Sequence, residues 1–230
     1  MGTRLMLAAV TAAALAGGGA MALASVDDQT PIAPRRIIIG LDLSKSNPLI
    51  ENPAFAAKVG ARIASYVMSM GFASEVHVRT FGNFDATSNT FYYDTLISIH
   101  ARPEQVAAEI EKLVAGTPML VRSGKWKSQN NTNILAFLDN AVHSVGCAGM
   151  KTTVVLASDG IEDSEYARLG KDDAHLPAPD GKPFRGCTEL QLLGLGQGTR
   201  SPKETVRLRS EWADWAKAAG FAKFTGLNDW

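Results

Sequence analysis

The sequence predicts an α/β domain with a doubly wound, mostly parallel central sheet and helices on both of its faces. Apolar runs typical of strands alternate along the chain with segments whose apolar residues recur at helical spacing. Two of these runs, 37–42 and 151–157, are unbroken, as expected of parallel strands that are covered on both faces. The 230 residues show no internal repeat and no second apolar core, so we expect one domain.

The N-terminal segment 1–24 is predicted to be a signal peptide that is not part of the fold. A single charge, Arg4, precedes an apolar stretch over 5–23 that is rich in alanine and glycine. The run Ala22-Leu23-Ala24 has the small-x-small pattern that signal peptidase cuts. The alternative is an uncleaved membrane anchor, because the stretch is almost long enough to span a bilayer.

The remainder of the chain is interpreted as an extended leader, 25–35, followed by the folded domain, 36–230. Without Arg4 it has 22 basic residues (23 minus 1) against 23 acidic ones, so no broad basic surface for nucleic acid or lipid head groups is expected. After cleavage of the signal peptide, no apolar stretch is long enough to cross a membrane. The predicted location is therefore the periplasm or the outside of the cell.

The N-terminal half of the domain is predicted to contain a strand, a helix and two further strands. After the strand at 37–42, the helix at 53–70 places an apolar residue at every fourth position and ends before Gly71. Residues 75–82 alternate between polar and apolar side chains, as a strand with one buried face does. Residues 89–100 are rich in aromatic and β-branched side chains, which favours a strand.

The C-terminal half is predicted to alternate between helices and strands. A helix is expected over 103–115, with proline in its first turn and glycine after its end, and the polar residues 117–131 are expected to be irregular. Helical spacing, apolar runs and turn residues predict the other elements: a helix at 132–145, a strand at 151–157, a loop at 162–186, a strand at 189–196, a helix at 203–219 and a short strand at 221–226.

The chain has two cysteines, Cys147 and Cys187. An even pair in an exported protein predicts a disulfide. Each cysteine lies shortly before a predicted strand. If those strands are parallel neighbours, their first residues lie about 5 Å apart, a separation that a disulfide bridges. Two free buried thiols are the alternative.

Two predicted strands end in an aspartate. Asp42 closes the first strand, and Asp159 follows the fourth. With the strand order 3-2-1-4-5-6, the ligand-binding crevice of such a sheet lies between the first and fourth strands, so both carboxylates would reach it. Ser44 and Ser46 follow Asp42 at alternate positions, which turns the three side chains to one side as the strand gives way to a loop.

These residues resemble the metal-ion-dependent adhesion site of von Willebrand factor type A domains. The matching features are Asp42-Leu43-Ser44-Lys45-Ser46, Thr132 opening a helix, and Asp159-Gly160 after an apolar strand. The likeness extends over nearly the whole mature chain. It departs from the family pattern at Asn131, where many members have glycine, and in a longer loop after Ser46.

The resemblance implies a divalent cation with Ser44, Ser46 and Thr132 as direct hydroxyl ligands and with Asp42 and Asp159 mostly in outer positions. All-oxygen ligation selects a hard ion, Mg²⁺ first, with Ca²⁺ or Mn²⁺ as alternatives. Three neutral hydroxyls leave about half of an octahedral Mg²⁺ shell to water or to an outside ligand. An Asp or Glu of a partner protein would complete the coordination. The implied function is a protein-binding module and not an enzyme.

Simpler interpretations of the single residues remain open. Ser44, Ser46 and Thr132 could each cap a following helix, and Asp159-Gly160 is a common turn pair. Working without any metal, as a scaffold, is a further functional alternative.

A metal-dependent hydrolase in the same crevice is the alternative from another class. It needs a general base, for which Asp159 or Glu162 is the obvious candidate. Glu162 and Asp163 are otherwise solvated loop charges or additional outer acceptors. The four histidines have no zinc-site spacing.

The loop before Thr132 is the candidate for partner recognition. Arg122, Lys125 and Lys127 flank Trp126, and a basic loop with an exposed aromatic side chain would suit an acidic partner surface. The alternative is a solvated loop whose tryptophan packs on the body of the domain.

Overall fold

The computed structural model describes residues 31–83, 89 and 91–230, so the predicted signal peptide and most of the leader lie outside the described residues. The described strands are β1 (Arg35–Asp42), β2 (Glu75–Phe81), β3 (Tyr92–Leu96), β4 (Lys151–Ala157), β5 (Cys187–Leu193) and β6 (Lys223–Leu227). The described helices are α1 (Pro48–Glu51), α2 (Pro53–Met68), α3 (Pro103–Ala115), α4 (Thr117–Arg122), α5 (Ile134–Ser144) and α6 (Pro202–Ala219).

The strands form one sheet in the order β3-β2-β1-β4-β5-β6. Neighbouring strands run parallel, except that the edge strand β3 pairs antiparallel with β2. The strand order reverses between β1 and β4, which confirms the doubly wound fold. The crevice of such a sheet therefore lies between the ends of these two strands.

A hydrophobic core covers each face of the sheet. Ile39 of β1 points to the core under α2 and α3, whereas Ile38 points to the core under α5 and α6. Gly40 allows α5 to approach the sheet closely, because a Cβ atom at this position would lie 2.8 Å from side-chain atoms of Leu156 and Phe137. Burial on both faces is why β1 reads as an unbroken apolar run.

Three segments differ from their predictions. Residues 117–131 are not irregular throughout, because Pro118 in a first turn starts the helix α4. The expected strand at 89–100 is reduced to the five residues of β3, since a turn closed by a hydrogen bond from Ser98 N to Ala101 O follows it. The short helix α1 stands in the loop after Ser46, which was expected to be only longer.

The predicted disulfide between Cys147 and Cys187 is present, with a Cα–Cα distance of 5.0 Å. β4 and β5 are parallel neighbours, as the prediction required, and Cys187 is the first residue of β5. Both cysteines are buried in the core under α5 and α6. Among the described residues, no helix combines the length and apolar character needed to cross a bilayer.

Candidate functional site

The ends of β1 and β4 bring Asp42 and Asp159 to the same rim of the sheet. Pairing of the two strands continues to Leu41 opposite Ala157. One residue further, the Ser158 hydroxyl donates to Asp42 Oδ2 at 2.7 Å. Both aspartates are completely buried. The sheet thus delivers two carboxylates to the predicted crevice from two independent strands.

Asp42 is fixed by the loop that follows it. Its Oδ1 accepts a 2.8 Å hydrogen bond from the Ser44 backbone N–H. The buried Asn47 side chain donates to the carbonyl oxygens of Asp42 and Ala157, each at 3.0 Å, and so ties the two strand ends together. Sequence reasoning missed Asn47 and Ser158. Only their positions beside the two aspartates could have indicated a role.

Replacing Asn47 with alanine is expected to lower the free energy of unfolding by about 1–3 kcal/mol, because two buried carbonyl oxygens would lose their donor. The measurement is urea unfolding followed by circular dichroism. Asn140→Ala, at an exposed position on α5, is the matched control and should stay within about 0.5 kcal/mol of wild type. Equal stability of the two variants would contradict the role given to Asn47.

The hydroxyls of Ser44 and Ser46 do not cap helices, so the capping interpretation is wrong. Asn47 caps α1 by accepting from Leu49 N, and Asn52 caps α2 by accepting from Ala54 N and Phe55 N. The two serine Oγ atoms lie 3.5 Å apart, with Ser44 buried and Ser46 exposed. Both hydroxyls therefore remain at the rim with no part in starting a helix.

Thr132 is likewise not the cap of the helix it precedes. Asn133 is the N-cap of α5, and its side chain accepts from Ala136 N at 3.0 Å. The Thr132 backbone pairs with Asp163 through two hydrogen bonds of 2.9 and 3.1 Å. No hydrogen bond of the Thr132 hydroxyl exists to any of the residues that the structure describes.

Thr132 reaches the rim because the chain before it adds to the loop after β1. Gln129 N donates to Leu43 O at 2.8 Å, and Lys45 N donates to Gln129 O at 2.9 Å. The segment from Gln129 to Thr132 is thus held between the Ser44 loop on one side and Asp163 on the other. All the predicted ligand positions belong to this one rim.

Glu162 is buried and is not a solvated loop charge. Its Oε2 accepts from the N–H groups of Ile134 and Leu135 at 2.8 and 3.3 Å, at the positive end of α5. Its Oε1 accepts from the Ser164 hydroxyl at 2.5 Å. By contrast, Asp163 is exposed and lies 3.7 Å from Arg168.

Asp159 has one oxygen engaged and one oxygen without a partner. Its Oδ1 accepts from Ile161 N at 2.9 Å, and Gly160 adopts φ 76°, so the turn interpretation of Asp159-Gly160 is also correct. Its Oδ2 is buried and has no hydrogen-bond partner in the described part of the chain. Gly198 passes directly beside this oxygen, where a Cβ atom would lie 2.9 Å away. A buried carboxylate oxygen left unpaired is costly and indicates a missing partner.

The environment of the rim disfavours negative charge when no cation is bound. Burial raises the pKa of Asp42 to about 6. Burial, and after it the charge of Asp42, raises the pKa of Asp159 to about 7, and the nearby Ser46 hydroxyl offsets part of that rise. Burial raises the pKa of Glu162 to about 7. These carboxyls are close enough to repel one another, which a cation would relieve.

The donor set fits a hard cation only if hydroxyl oxygens take part. Among the described residues, no group of three or more His, Cys, Asp and Glu side chains is arranged to hold a metal ion. The rim instead offers hydroxyls of Ser44, Ser46 and Thr132 in front of two buried carboxylates, and oxygen donors of this kind suit Mg²⁺, Ca²⁺ or Mn²⁺.

Trp126 does not present a free aromatic surface, so the structure favours the packed interpretation of this loop. Its ring lies 5.1 Å from that of Phe91 and packs against the core under α2 and α3. Lys125 and Lys127 on either side of it are exposed. The hydrophobic contact with Phe91, which is distant in sequence, could not be read from the loop itself.

Solved structures similar to this chain include a pilus adhesin, SpaC from Lactobacillus rhamnosus GG in the open conformation, with 12% identity and a TM-score of 0.46. That alignment covers 87% of this chain and 28% of the adhesin, so the chain spans less than a third of that protein's length. An aerotolerance-related membrane protein from Bacteroides fragilis NCTC 9343, carrying multiple mutations to serines, shows 15% identity and a TM-score of 0.44, with 85% and 92% of the two chains covered. The conserved hypothetical protein BatB from Bacteroides thetaiotaomicron shows 15% identity and a TM-score of 0.45, with 85% and 91% covered. No family model matches the chain, and no curated protein is significantly similar to it in sequence.

Proposed function

We propose that this chain is an exported protein-binding module that grips its partner through a divalent cation at the ends of β1 and β4. The observation that carries the proposal is the pair of buried carboxylates at the switch point of the sheet, with Asp159 Oδ2 left without a partner. Unpaired buried charge is unfavourable unless something positive compensates it. A cation at the rim would supply that compensation.

Ser44, Ser46 and Thr132 would hold the ion directly through their hydroxyls. Their availability supports this role, because asparagines and not these residues cap α1, α2 and α5. Asp42 and Asp159 would stand behind them, and the hydrogen bonds from Ser44 N and Ser158 Oγ already fix the orientation of Asp42. Mg²⁺ is the ion we expect, with an Asp or Glu of the partner protein filling an open position.

The exposed charges beside the rim favour an acidic partner. Lys45 and Arg122 line one shallow cleft next to Ser46, together with the acidic Glu51. Lys125 and Lys127 extend the basic surface along the loop. Surface charges of this kind mainly increase the rate of association and select the partner. With Trp126 packed on Phe91, the two lysines and not the tryptophan are the proposed contacts.

The rival hydrolase function has weaker support. Glu162, one of its two candidate bases, has both oxygens engaged by Ser164 and by the first turn of α5. Its carboxylate acts as a structural acceptor for helix N–H groups. Asp159 would then be the only one of the two candidates left to serve as a base.

The proposed ligands are tested by titration calorimetry with Mg²⁺ and Mn²⁺ on wild type and on Ser44→Ala/Ser46→Ala. We expect about tenfold weaker binding by the variant, since each lost oxygen removes a coordination bond. Ser65→Ala/Ser69→Ala, which removes two exposed hydroxyls at the far end of α2, is the matched control.

Equal affinity of the serine variant and wild type would remove these residues as ligands, and no binding by wild type would favour a scaffold that works without metal. Partner capture from an envelope extract should then require the cation. Wild type is expected to retain a protein that chelator releases and that Ser44→Ala/Ser46→Ala fails to retain. Hydrolysis of ester or phosphate substrates that Asp159→Asn abolishes would instead support the hydrolase.

A further inference from the structure

Large hydrophobic side chains gather at the end of the sheet opposite the candidate site. Nine such side chains are at least half exposed among the described residues, and five of them lie around the start of β1. These five form what we call the apolar end: Ile32, Met68, Phe72, Leu96 and Ile99. Their exposed fractions run from 51% to 70%. A contiguous apolar patch on a soluble domain usually marks a surface that meets another apolar phase.

Backbone contacts make the apolar end continuous. Ile32 packs directly on Gly71, where any side chain would collide with it. The turn that follows α2 is closed by a hydrogen bond from Ser74 N to Gly71 O at 3.2 Å. Ala73 N then donates to Ile97 O at 2.9 Å, which joins this turn to the segment that carries Leu96 and Ile99.

The turn that presents Phe72 is held in an unfavourable backbone conformation. Ala73 adopts φ 61°, and it is the one residue other than glycine with a positive φ in the described part of the chain. This left-handed conformation costs about 1–2 kcal/mol for a residue with a Cβ atom. The cost is tolerated at a turn whose effect is to project the neighbouring phenylalanine into solvent.

We propose that the apolar end rests on the surface of a lipid bilayer. The apolar stretch over 5–23 ends nine residues before Ile32. Nine residues span at most about 30 Å when fully extended. Whenever that stretch is in a membrane, during export or as a retained anchor, covalent reach alone keeps the apolar end close to the bilayer surface.

The charges around the apolar end match an anionic lipid surface better than a second apolar protein face. Arg35, Arg102 and Lys151 are exposed at this end of the molecule, with Glu104 as the nearby exposed acid. Each basic side chain near anionic lipid contributes about 1 kcal/mol. Aromatic and aliphatic side chains that enter the head-group boundary add hydrophobic binding. The near-zero charge of the whole chain conceals this local excess.

The test measures whether Ile99 meets lipid in the full chain reconstituted with vesicles of phosphatidylethanolamine and phosphatidylglycerol. A polarity-sensitive fluorophore is attached at Ile99→Cys, and at Val206→Cys on α6 as a control of similar exposure, 70% and 64%. Both native cysteines are in the disulfide, so each variant has a single reactive thiol. Chelator is present throughout, which makes the result independent of the proposed metal site.

The expected result is a blue-shifted and about twofold brighter emission at position 99 on adding vesicles, with no change at position 206. Phe72→Ser added to Ile99→Cys should reduce that change by about half, since it removes the most projecting aromatic of the apolar end. No change at position 99, or equal changes at both positions, would overturn the proposal. A shift that precedes vesicle addition and grows with protein concentration would overturn it in favour of a second copy of this chain.

Discussion

Asp159→Asn is expected to stabilise the metal-free protein while weakening its binding of Mg²⁺. The wild-type carboxylate is buried, stands close to the charge of Asp42 and leaves Oδ2 without a partner. A neutral amide removes the repulsion and much of the desolvation cost, so we expect a gain on the order of 1–3 kcal/mol in chelator at pH 8. Loss of an outer carboxylate from a metal site costs about 10–100-fold in affinity. The two effects have opposite signs, which a merely structural aspartate would not produce.

The measurement is urea unfolding in chelator at pH 8, together with calorimetric titration of Mg²⁺ and Mn²⁺. Asp173→Asn is the matched control, because it makes the same chemical change at an exposed position of the loop after β4. It should alter neither quantity appreciably. A destabilised Asp159→Asn protein that still binds Mg²⁺ with wild-type affinity would show that Asp159 is only a turn residue.

The metal-free protein is also expected to lose stability as the pH rises from about 4 to about 7. Burial raises the pKa values of Asp42 to about 6, and of Asp159 and Glu162 to about 7, from ordinary values of 3.8 and 4.5. Between the ordinary and the raised values, the native state binds more protons than the unfolded state. Their contribution to stability is therefore complete below pH 4 and disappears as each native carboxyl ionises. We expect these groups to change the free energy of unfolding by about 2–4 kcal/mol across this window.

Thermal and urea unfolding at pH 5 and pH 8 in chelator measure this slope. Saturating Mg²⁺ should raise stability more at pH 8 than at pH 5, because protons compete with the cation for the same carboxylates. Asp159→Asn should flatten the slope in chelator, whereas Asp173→Asn should leave it as in wild type. A metal-free protein that becomes more stable between pH 5 and pH 8 would contradict the burial of these charges.

The strand order and the meeting of Asp42 with Asp159 could be predicted because both depend on strong local patterns. β1 and β4 are unbroken apolar runs, and a parallel sheet with the observed order places their carboxyl ends together whatever the loops do. The disulfide followed from the same topology, since it needs only that β4 and β5 be parallel neighbours.

The roles of hydroxyls and loops could not be predicted in the same way, because they depend on which nearby group wins a local competition. Ser44, Asn47 and Asn52 are all good helix caps, and only the folded loop shows that the two asparagines take the helices. Glu162 was open between solvent and burial for the same reason, because its acceptors' partners come from α5, almost thirty residues earlier in the chain. Trp126 looked exposed until Phe91 was seen beside it.

The disulfide makes a covalent ring of residues 147–187, and this ring contains β4, Asp159 and the long loop after it. Hydrolysis of any one peptide bond in that loop would open the ring without separating the chain into two pieces. β4 would stay tethered to β5 by the sulfur bridge and would keep its aspartate. A protease acting on an exported protein would thus meet a domain that tolerates a nick beside its binding surface.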